Sequence, residues 1–235
     1  MTRSRPVRGA IESANIWRHP ETYEVENRAV DPDGVLWQAM RDAADWSGRT
    51  LLDLGCGTGF HLPLFAADAA EVIGVEPHPD LLTIAARRTR AHPHVRLLPG
   101  AAQRLPLPDS SVDVVHARWA YFFGPGCEPG LTELDRVVRR GGTAMIIDND
   151  ASRSTFGAWF RRGFPHLPSP ATIERFFSTR GWQRRSVDMG WRFDSRTDLE
   201  AVVRIEFPPA TADWILAHHD GLAVDYAVNL WTRTY

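Results

Sequence analysis

Apolar residues along the chain gather into short runs set between longer stretches of helical periodicity. The runs at 50–54, 72–75, 95–98, 112–117 and 144–147 are too short for helices, which predicts five strands buried on both faces. Between them, 60–67, 80–91 and 129–139 predict helices, the last two with one apolar and one polar face. Strand and helix alternate, as in a parallel sheet covered by helices on both sides. The crossover at 103–107, crowded by Pro106 and Pro108, predicts only a turn or a short helix. Ahead of the first run, Val35, Leu36, Met40, Ala43 and Ala44 recur at helical spacing after Asp31-Pro32-Asp33, predicting a helix over 32–46.

After Asp148 the pattern changes. Phe156, Trp159 and Phe160 stand at i, i+3 and i+4 within 152–160, a proline-rich stretch follows at 163–170, and 171–179 predicts another helix. That is long for a crossover and predicts a lid. Val187, Met189, Trp191 and Phe193 then alternate with polar or small residues, as do Leu222, Val224, Tyr226, Val228 and Leu230, predicting two closing strands. Pro208-Pro209 divides their connection into helices at 198–206 and 211–218.

Composition narrows the classes. With 235 residues, 43% of them hydrophobic, the expectation is one domain with appendages. A net charge of -2 and a pI near 6.5 supply no basic field for nucleic acid. All 27 basic residues are Arg, so a lysine Schiff base and a P-loop lysine are excluded. Two cysteines make no disulfide framework, and a reduced, cytoplasmic chain is expected. The basic, polar first ten residues read as a mobile tail and lead into no apolar segment, and no run approaches 18 apolar residues, so no membrane association is expected. His92 with His94, and His218 with His219, lack further ligands, so no metal site is expected.

The sharpest local signal is 51–60, an apolar strand entering a glycine-rich turn: Asp53-Leu54-Gly55-Cys56-Gly57-Thr58-Gly59. Glycines at alternate positions let a ligand approach the backbone closely. The spacing is G-x-G-x-G, whereas a dinucleotide site reads G-x-G-x-x-G/A, which counts against a nicotinamide oxidoreductase. Asp53 puts a carboxylate at the strand end. Glu76 closes the next run, 23 positions later, where an acid would accept from both hydroxyls of a ribose. An exposed strand-end glutamate is the plain alternative.

In these blocks, and in 72–82, 97–120 and 131–142, the chain resembles the class I S-adenosylmethionine-dependent methyltransferases, in particular the small-molecule branch that includes the ubiquinone/menaquinone C-methyltransferases. The resemblance covers about residues 50–148. It implies an α/β, Rossmann-like fold: a mostly parallel seven-stranded sheet flanked by helices, with a tail and N-terminal cap (1–46), a cofactor-binding core (47–150), and a lid insertion with closing strands (151–235). It implies S-adenosylmethionine as cofactor and S-adenosylhomocysteine as product. Gly55, Cys56 and Gly57, with Asp53 and Gly59, would cradle the methionine and ribose, Glu76 would hold the ribose hydroxyls, Pro77 would flank the adenine, and Ala101, Ala102 and Gln103 would border its edge. Ala117 would offer its backbone to the amino-acid end, with Arg118 and Trp119 nearby. Family members often carry Gly-Asp-Ala where this chain has Gly100-Ala101-Ala102, so the adenine amino group would rely on backbone groups or Gln103.

Ligands in an open α/β sheet bind beyond the carboxyl ends of the strands. Trp119, Tyr121, Phe122 and Phe123 follow the fourth run there, and Trp17, Tyr23 and Trp159 are further candidates for the acceptor pocket. Tyr23 would contact either the methionine carboxylate or the acceptor. The implied reaction is SN2 attack by a small-molecule acceptor, in which alignment supplies much of the acceleration. A base is needed only for a protonated nucleophile, and the candidates are His116, Asp148, Asp150 and Tyr23. His116 in the sheet core and the two aspartates as caps are the structural alternatives. Arg-only basic usage suggests a GC-rich genome and secondary metabolism. Two other functions stay open: a methyltransferase-like enzyme of cyclisation or elimination, and a non-catalytic binding subunit. A homodimer is the assembly considered.

Overall fold

The computed structural model describes residues 5–235, and within them one seven-stranded sheet organises the chain. Its strands are β1 (Thr50–Leu54), β2 (Glu71–Glu76), β3 (Val95–Pro99), β4 (Val112–Arg118), β5 (Val138–Asn149), β6 (Gln183–Arg192) and β7 (Ala223–Thr234), in the order β3-β2-β1-β4-β5-β7-β6. The first five run parallel, and β7 lies antiparallel between β5 and β6. This is the Rossmann-like methyltransferase architecture that the sequence implies.

Five predicted runs are strands, and their alternation explains why apolar residues fall on both of their faces. Leu51, Val72, Val114 and Ile147 enter the core on one side of the sheet; Leu52, Ile73, Val115 and Ile146 enter the other. β5 is longer than its apolar run of 144–147. It starts at Val138, passes Gly141 and Gly142, and takes a register shift against β4 between Val112 and Val114. A strand half of which is exposed has no continuous apolar signature.

The flanking helices are α1 (Ala14–Arg18), α2 (Pro20–Ala29), α3 (Val35–Ala43), α4 (Leu62–Ala66), α5 (Pro79–Arg88) and α6 (Glu128–Val137). Beyond β5 come α7 (Thr155–Gly163), α8 (Pro170–Ser178), α9 (Arg196–Glu206) and α10 (Pro209–His218). Local chemistry sets several starts. Proline opens α2, α5, α8 and α10, where the missing N–H costs nothing. Ser169 and Ser195 cap α8 and α9 by accepting from Thr172 N (3.2 Å) and Asp198 N (3.1 Å). Asp80 in the first turn of α5 and Arg87 and Arg88 in its last turn match the helix dipole. The 103–107 crossover contains no helix, only a bridge from Ala101 to Arg104.

The mobile tail expected over 1–10 lies outside the described residues as far as residue 4. The rest of it is tied down: Val7 N donates to Pro77 O (2.9 Å), and Gln103 Nε2 donates to Gly9 O (2.8 Å). Trp159 does not line a pocket either. It is buried against Phe207 and His219, while Phe160 and Phe164 on the same helical turn and just beyond face the cavity described below. Among the described residues no helix is long and apolar enough to cross a membrane.

At Gly74, in mid-β2, a Cβ would fall 2.8 Å from Leu97 Cδ2 and 2.9 Å from Cys56 Sγ. Gly74→Val therefore overpacks the point where the glycine turn rests on β2, and urea unfolding should report a loss of about 1–3 kcal/mol.

Candidate functional site

Strand order reverses between β1 and β4, so a crevice opens at their carboxyl ends. The turn leaving β1 is held on its inner side by β2: Gly55 N and Cys56 N both donate to Val75 O, at 2.8 and 3.1 Å. Gly55 and Gly57 take φ of 77° and 54°. A Cβ at Gly55 would lie 2.5 Å from Ala120 Cβ, and one at Gly57 2.7 Å from Ile16 Cδ1. Conformation and space thus both demand glycine.

Glu76 locks this turn from the end of β2. Its Oε2 accepts from Gly57 N (3.1 Å) and its Oε1 from His78 N (3.0 Å). The side chain is buried, not an exposed strand end. Burial pushes its carboxyl up to about 7, against the pull of those two N–H groups. A second clamp, without a warning in the sequence, crosses the turn from outside: Arg88 pairs with Glu24 (2.6 Å), and Thr58 Oγ1 donates to the same carboxylate.

Asp53 on β1 and His116 on β4 are register partners, and Asp53 Oδ1 accepts from His116 Nδ1 (2.8 Å) with both residues buried. His116 Nε2 is buried without a partner. Two residues on, Arg118 is partly buried and donates to Asn27 Oδ1 (3.1 Å), its guanidinium 4.6 Å from the Trp119 ring. Among the described residues no carboxylate lies within ion-pair distance of it. Burial pulls its pKa down, which favours an anionic partner.

Two adjoining cavities occupy the crevice. The first, about 200 Å³, is lined by Asp53, Gly55, Cys56, Gly57, Glu76, Pro77, Ala101, Ala102, Gln103 and Tyr121, with Trp17, Tyr23, His116, Arg118 and Trp119. The second, about 700 Å³, is walled by 160–173, the α9–α10 junction, and residues of α1, α2, β5 and β7. Tyr23, Trp119 and Phe123 line both. The 152–170 segment predicted as a lid supplies part of this wall through Phe160, Phe164 and Leu167.

Several predicted site residues sit elsewhere. The Ala117 side chain faces the core on the far side of the sheet, because alternation along β4 turns its neighbours His116 and Arg118 to the crevice, which leaves the expected role of its backbone untouched. Phe122 is buried in the same core, and Phe123, half exposed, lines the cavities in its place. Positive φ at Trp119 (49°) and Tyr121 (60°) breaks the alternation there. Gly59 lines neither cavity: its added Cβ would lie 2.9 Å from Ala85 Cβ, so it serves the packing of the turn on α5. Gln103 does line the first cavity, with its Nε2 donating to Gly9 O.

The candidate bases differ sharply. Asp150 accepts from Ser152 and Ser186 and pairs with Arg184 (2.9 Å), which together hold its carboxyl below the usual range and make it a structural anchor. Asp148 lines the second cavity. Its Oδ1 accepts from Asn229 Nδ2 (2.7 Å) and Trp231 Nε1 (3.1 Å), and burial raises the carboxyl to about 7. Tyr23 has its phenol pushed well above 10 by burial and then by Glu26. Glu26, buried, and Glu206, partly buried, two acids absent from the sequence reading, also line the second cavity. Glu26 is one of three buried residues on α2, and its helix alone offers no reason to place it at a site.

Residues 52–146 match a family model described as a methyltransferase domain. The ubiquinone/menaquinone biosynthesis C-methyltransferase UbiE of Rubrivivax gelatinosus is 31% identical over 142 residues, covering 60% of this chain and 54% of that protein. The tRNA U34 carboxymethyltransferase of Methylococcus capsulatus is 25% identical over 230 residues, 83% of this chain and 68% of that one. The YcgJ protein of Bacillus subtilis superposes with a TM-score of 0.63 at 18% identity, over 85% of this chain and 97% of that chain. Residues 52–146 are thus similar to a methyltransferase domain, and most of the chain shares the fold of the YcgJ structure. The chain spans about half the length of the first of these relatives.

The residues present fit the cofactor that the resemblance implies, S-adenosylmethionine. A buried carboxylate with lone pairs left after two backbone N–H groups, a turn open to close approach, and a partly buried guanidinium without a carboxylate are complementary to ribose hydroxyls and to an amino-acid carboxylate.

Because Glu76 titrates near 7 when folded and near its ordinary 4.5 when unfolded, the folded chain keeps a proton that the unfolded chain releases between those values. This contribution to stability is full below about pH 4.5 and is lost as pH climbs through 7. Glu76→Gln should therefore lose about 1–3 kcal/mol less than the wild type between pH 5 and pH 8 in urea unfolding.

Proposed function

We propose that the chain transfers a methyl group from S-adenosylmethionine, bound in the first cavity, to a small-molecule acceptor enclosed in the second. One observation carries the reading: two cavities of different character meet across the shared side chains of Tyr23, Trp119 and Phe123. When bound, the cofactor supplies an electrophilic methyl on a sulfonium. The protein's task is then to bind, align and exclude water.

Glu76 would hold the ribose hydroxyls and Arg118 the methionine carboxylate. Pro77, Ala101 and Ala102 would flank the adenine, with Trp17 closing over the site from α1. Trp119 fixes the border of the two cavities, stacked against Tyr226 at 5.8 Å. Among the candidate bases Asp148 is the best suited: it lines the acceptor cavity, and a carboxyl titrating near 7 accepts a proton effectively at neutral pH. His116 is a positioning group in this reading, its ring held by Asp53 beneath the turn. Tyr23, with its raised pKa, acts as a hydrogen-bond donor and not as a base.

Calorimetric titration with S-adenosylmethionine should show saturable binding, abolished in Gly57→Arg and weakened at least ten-fold in Glu76→Ala; no binding by a folded wild type sinks the proposal. Because the ribose prefers the ionised carboxylate, affinity should fall as pH drops below about 7, and Glu76→Gln should flatten that dependence. With an accepted substrate, Asp148→Asn should lower kcat by 10²–10⁴ while leaving cofactor affinity unchanged. An unaltered kcat would remove Asp148 from the chemistry.

A further inference from the structure

The charges lining the second cavity are unevenly compensated. Its two arginines have carboxylates of their own: Arg18 pairs with Glu12 (2.6 Å), and Arg184 pairs with Asp150 (2.9 Å) and reaches Glu174 (3.4 Å). Its acids do not have cations. Glu26 on α2 and Glu206 at the end of α9 face each other closely enough for one carboxyl to hydrogen-bond the other, and neither forms an ion pair among the described residues.

The pair is held from both sides yet left incomplete. Glu206 Oε1 accepts from Asn15 Nδ2 of α1 (2.6 Å). Glu26 is only 3% exposed, and its Oε2 is buried with no hydrogen-bond partner at all. The other titratable groups around Glu26 are Tyr23 on its own helix, Arg118 on β4 and Tyr226 on β7. Arg118 donates to Asn27 and lines the first cavity, not the second, and the Tyr226 hydroxyl donates to Asn149. Nothing in the fold therefore completes the pair. Burial raises both carboxyls, repulsion by Glu206 raises Glu26 further, and two carboxyls in contact hold one proton between them.

The rest of the wall is apolar and aromatic: Phe160, Phe164, Ile205, Phe207, and the ring of Tyr226. An acid pair beside aromatic faces suits an ammonium, which the carboxylates attract and the ring faces also stabilise. An anion would meet repulsion, and a neutral hydroxyl would leave the charge uncompensated. We propose that the second cavity binds an apolar or aromatic amine, whose protonated nitrogen sits on the Glu26–Glu206 pair while its apolar body lies along Phe160, Phe164 and Tyr226. The inference rests on reading this cavity as the acceptor site. Binding displaces the proton held between the two carboxyls into solvent.

The test uses three probes of similar size, 2-phenylethylamine, 2-phenylethanol and 3-phenylpropanoate, titrated calorimetrically at pH 7 in phosphate and in Tris. The amine should bind at least ten-fold more tightly than the alcohol, and the carboxylate not measurably. The buffer dependence of the amine's enthalpy should report net proton release. Glu26→Gln and Glu206→Gln should each bring the amine down to the alcohol's affinity and leave the alcohol unchanged, whereas Glu76→Ala should leave amine binding intact. Equal binding of amine and alcohol, no amine binding, or an amine preference that survives both Gln variants overturns the proposal. Should the Gln variants not fold, proton release and the amine-to-alcohol ratio of the wild type decide alone. A parallel S-adenosylmethionine titration separates the two readings: amine binding without cofactor binding defeats methyl transfer and keeps the amine site, and the reverse defeats only the amine site.

Discussion

Parallel strands must be joined by crossovers, and the crossovers from β1 to β2 and from β4 to β5 lead away from each other on a sheet whose order reverses between β1 and β4. No connection covers the carboxyl ends of those two strands. Whatever leaves them lies along an open crevice: from β1 the turn of Gly55 to Gly59, and from β4 the segment of Arg118 to Phe123. The backbone of the first must pass within van der Waals reach of Ala120 in the second, which a Cβ at Gly55 would forbid. The site's composition follows from that topological gap, and its small residues follow from how narrow the gap is.

The gap is then roofed by parts of the chain distant in sequence. Residues 7–9 close one side through Pro77 and Gln103, and α1 and α2 cross the middle. The α9–α10 junction and 160–173 close the far side. Asn15 joins α1 to Glu206 of α9, and Glu24 joins α2 to Arg88 of α5, so polar contacts bind the roof to the sheet's flanking helices. An enclosed second cavity with aromatic walls is what distinguishes this chain's crevice from a bare nucleotide site.

The strands of the core were legible because a strand buried on both faces carries apolar residues on both, and such runs are hard to mistake. Glu76 was legible because it ends one of those runs in register with the glycine turn. The errors arose where geometry overrides periodicity. Alternation holds along β4, which turns the Ala117 side chain away, but it fails after Arg118, where left-handed backbone at Trp119 and Tyr121 exchanges the roles of Phe122 and Phe123. On α7, Phe156, Trp159 and Phe160 share one stripe, and only the packing of Phe207 and His219 decides that Trp159 is interior and Phe160 lines the cavity. Glu26 and Glu206 stand 180 positions apart in helices of ordinary composition, and no local pattern brings them together.

Burying acids is costly, and the way each is compensated separates those that build the fold from those that face a ligand. Asp150 takes two serines and an arginine, and its carboxyl falls below the usual range; it is finished as it stands. Asp53 is satisfied by His116. Glu76 and Asp148 are half satisfied, each with two donors and each raised to about 7, poised between charge states at the edge of a cavity. Glu26 is the extreme, with a carboxylate oxygen that meets nothing. Asp31 Oδ1 is bare as well, but Glu26 is the one of the two that lines the second cavity, where a ligand can supply the group it lacks.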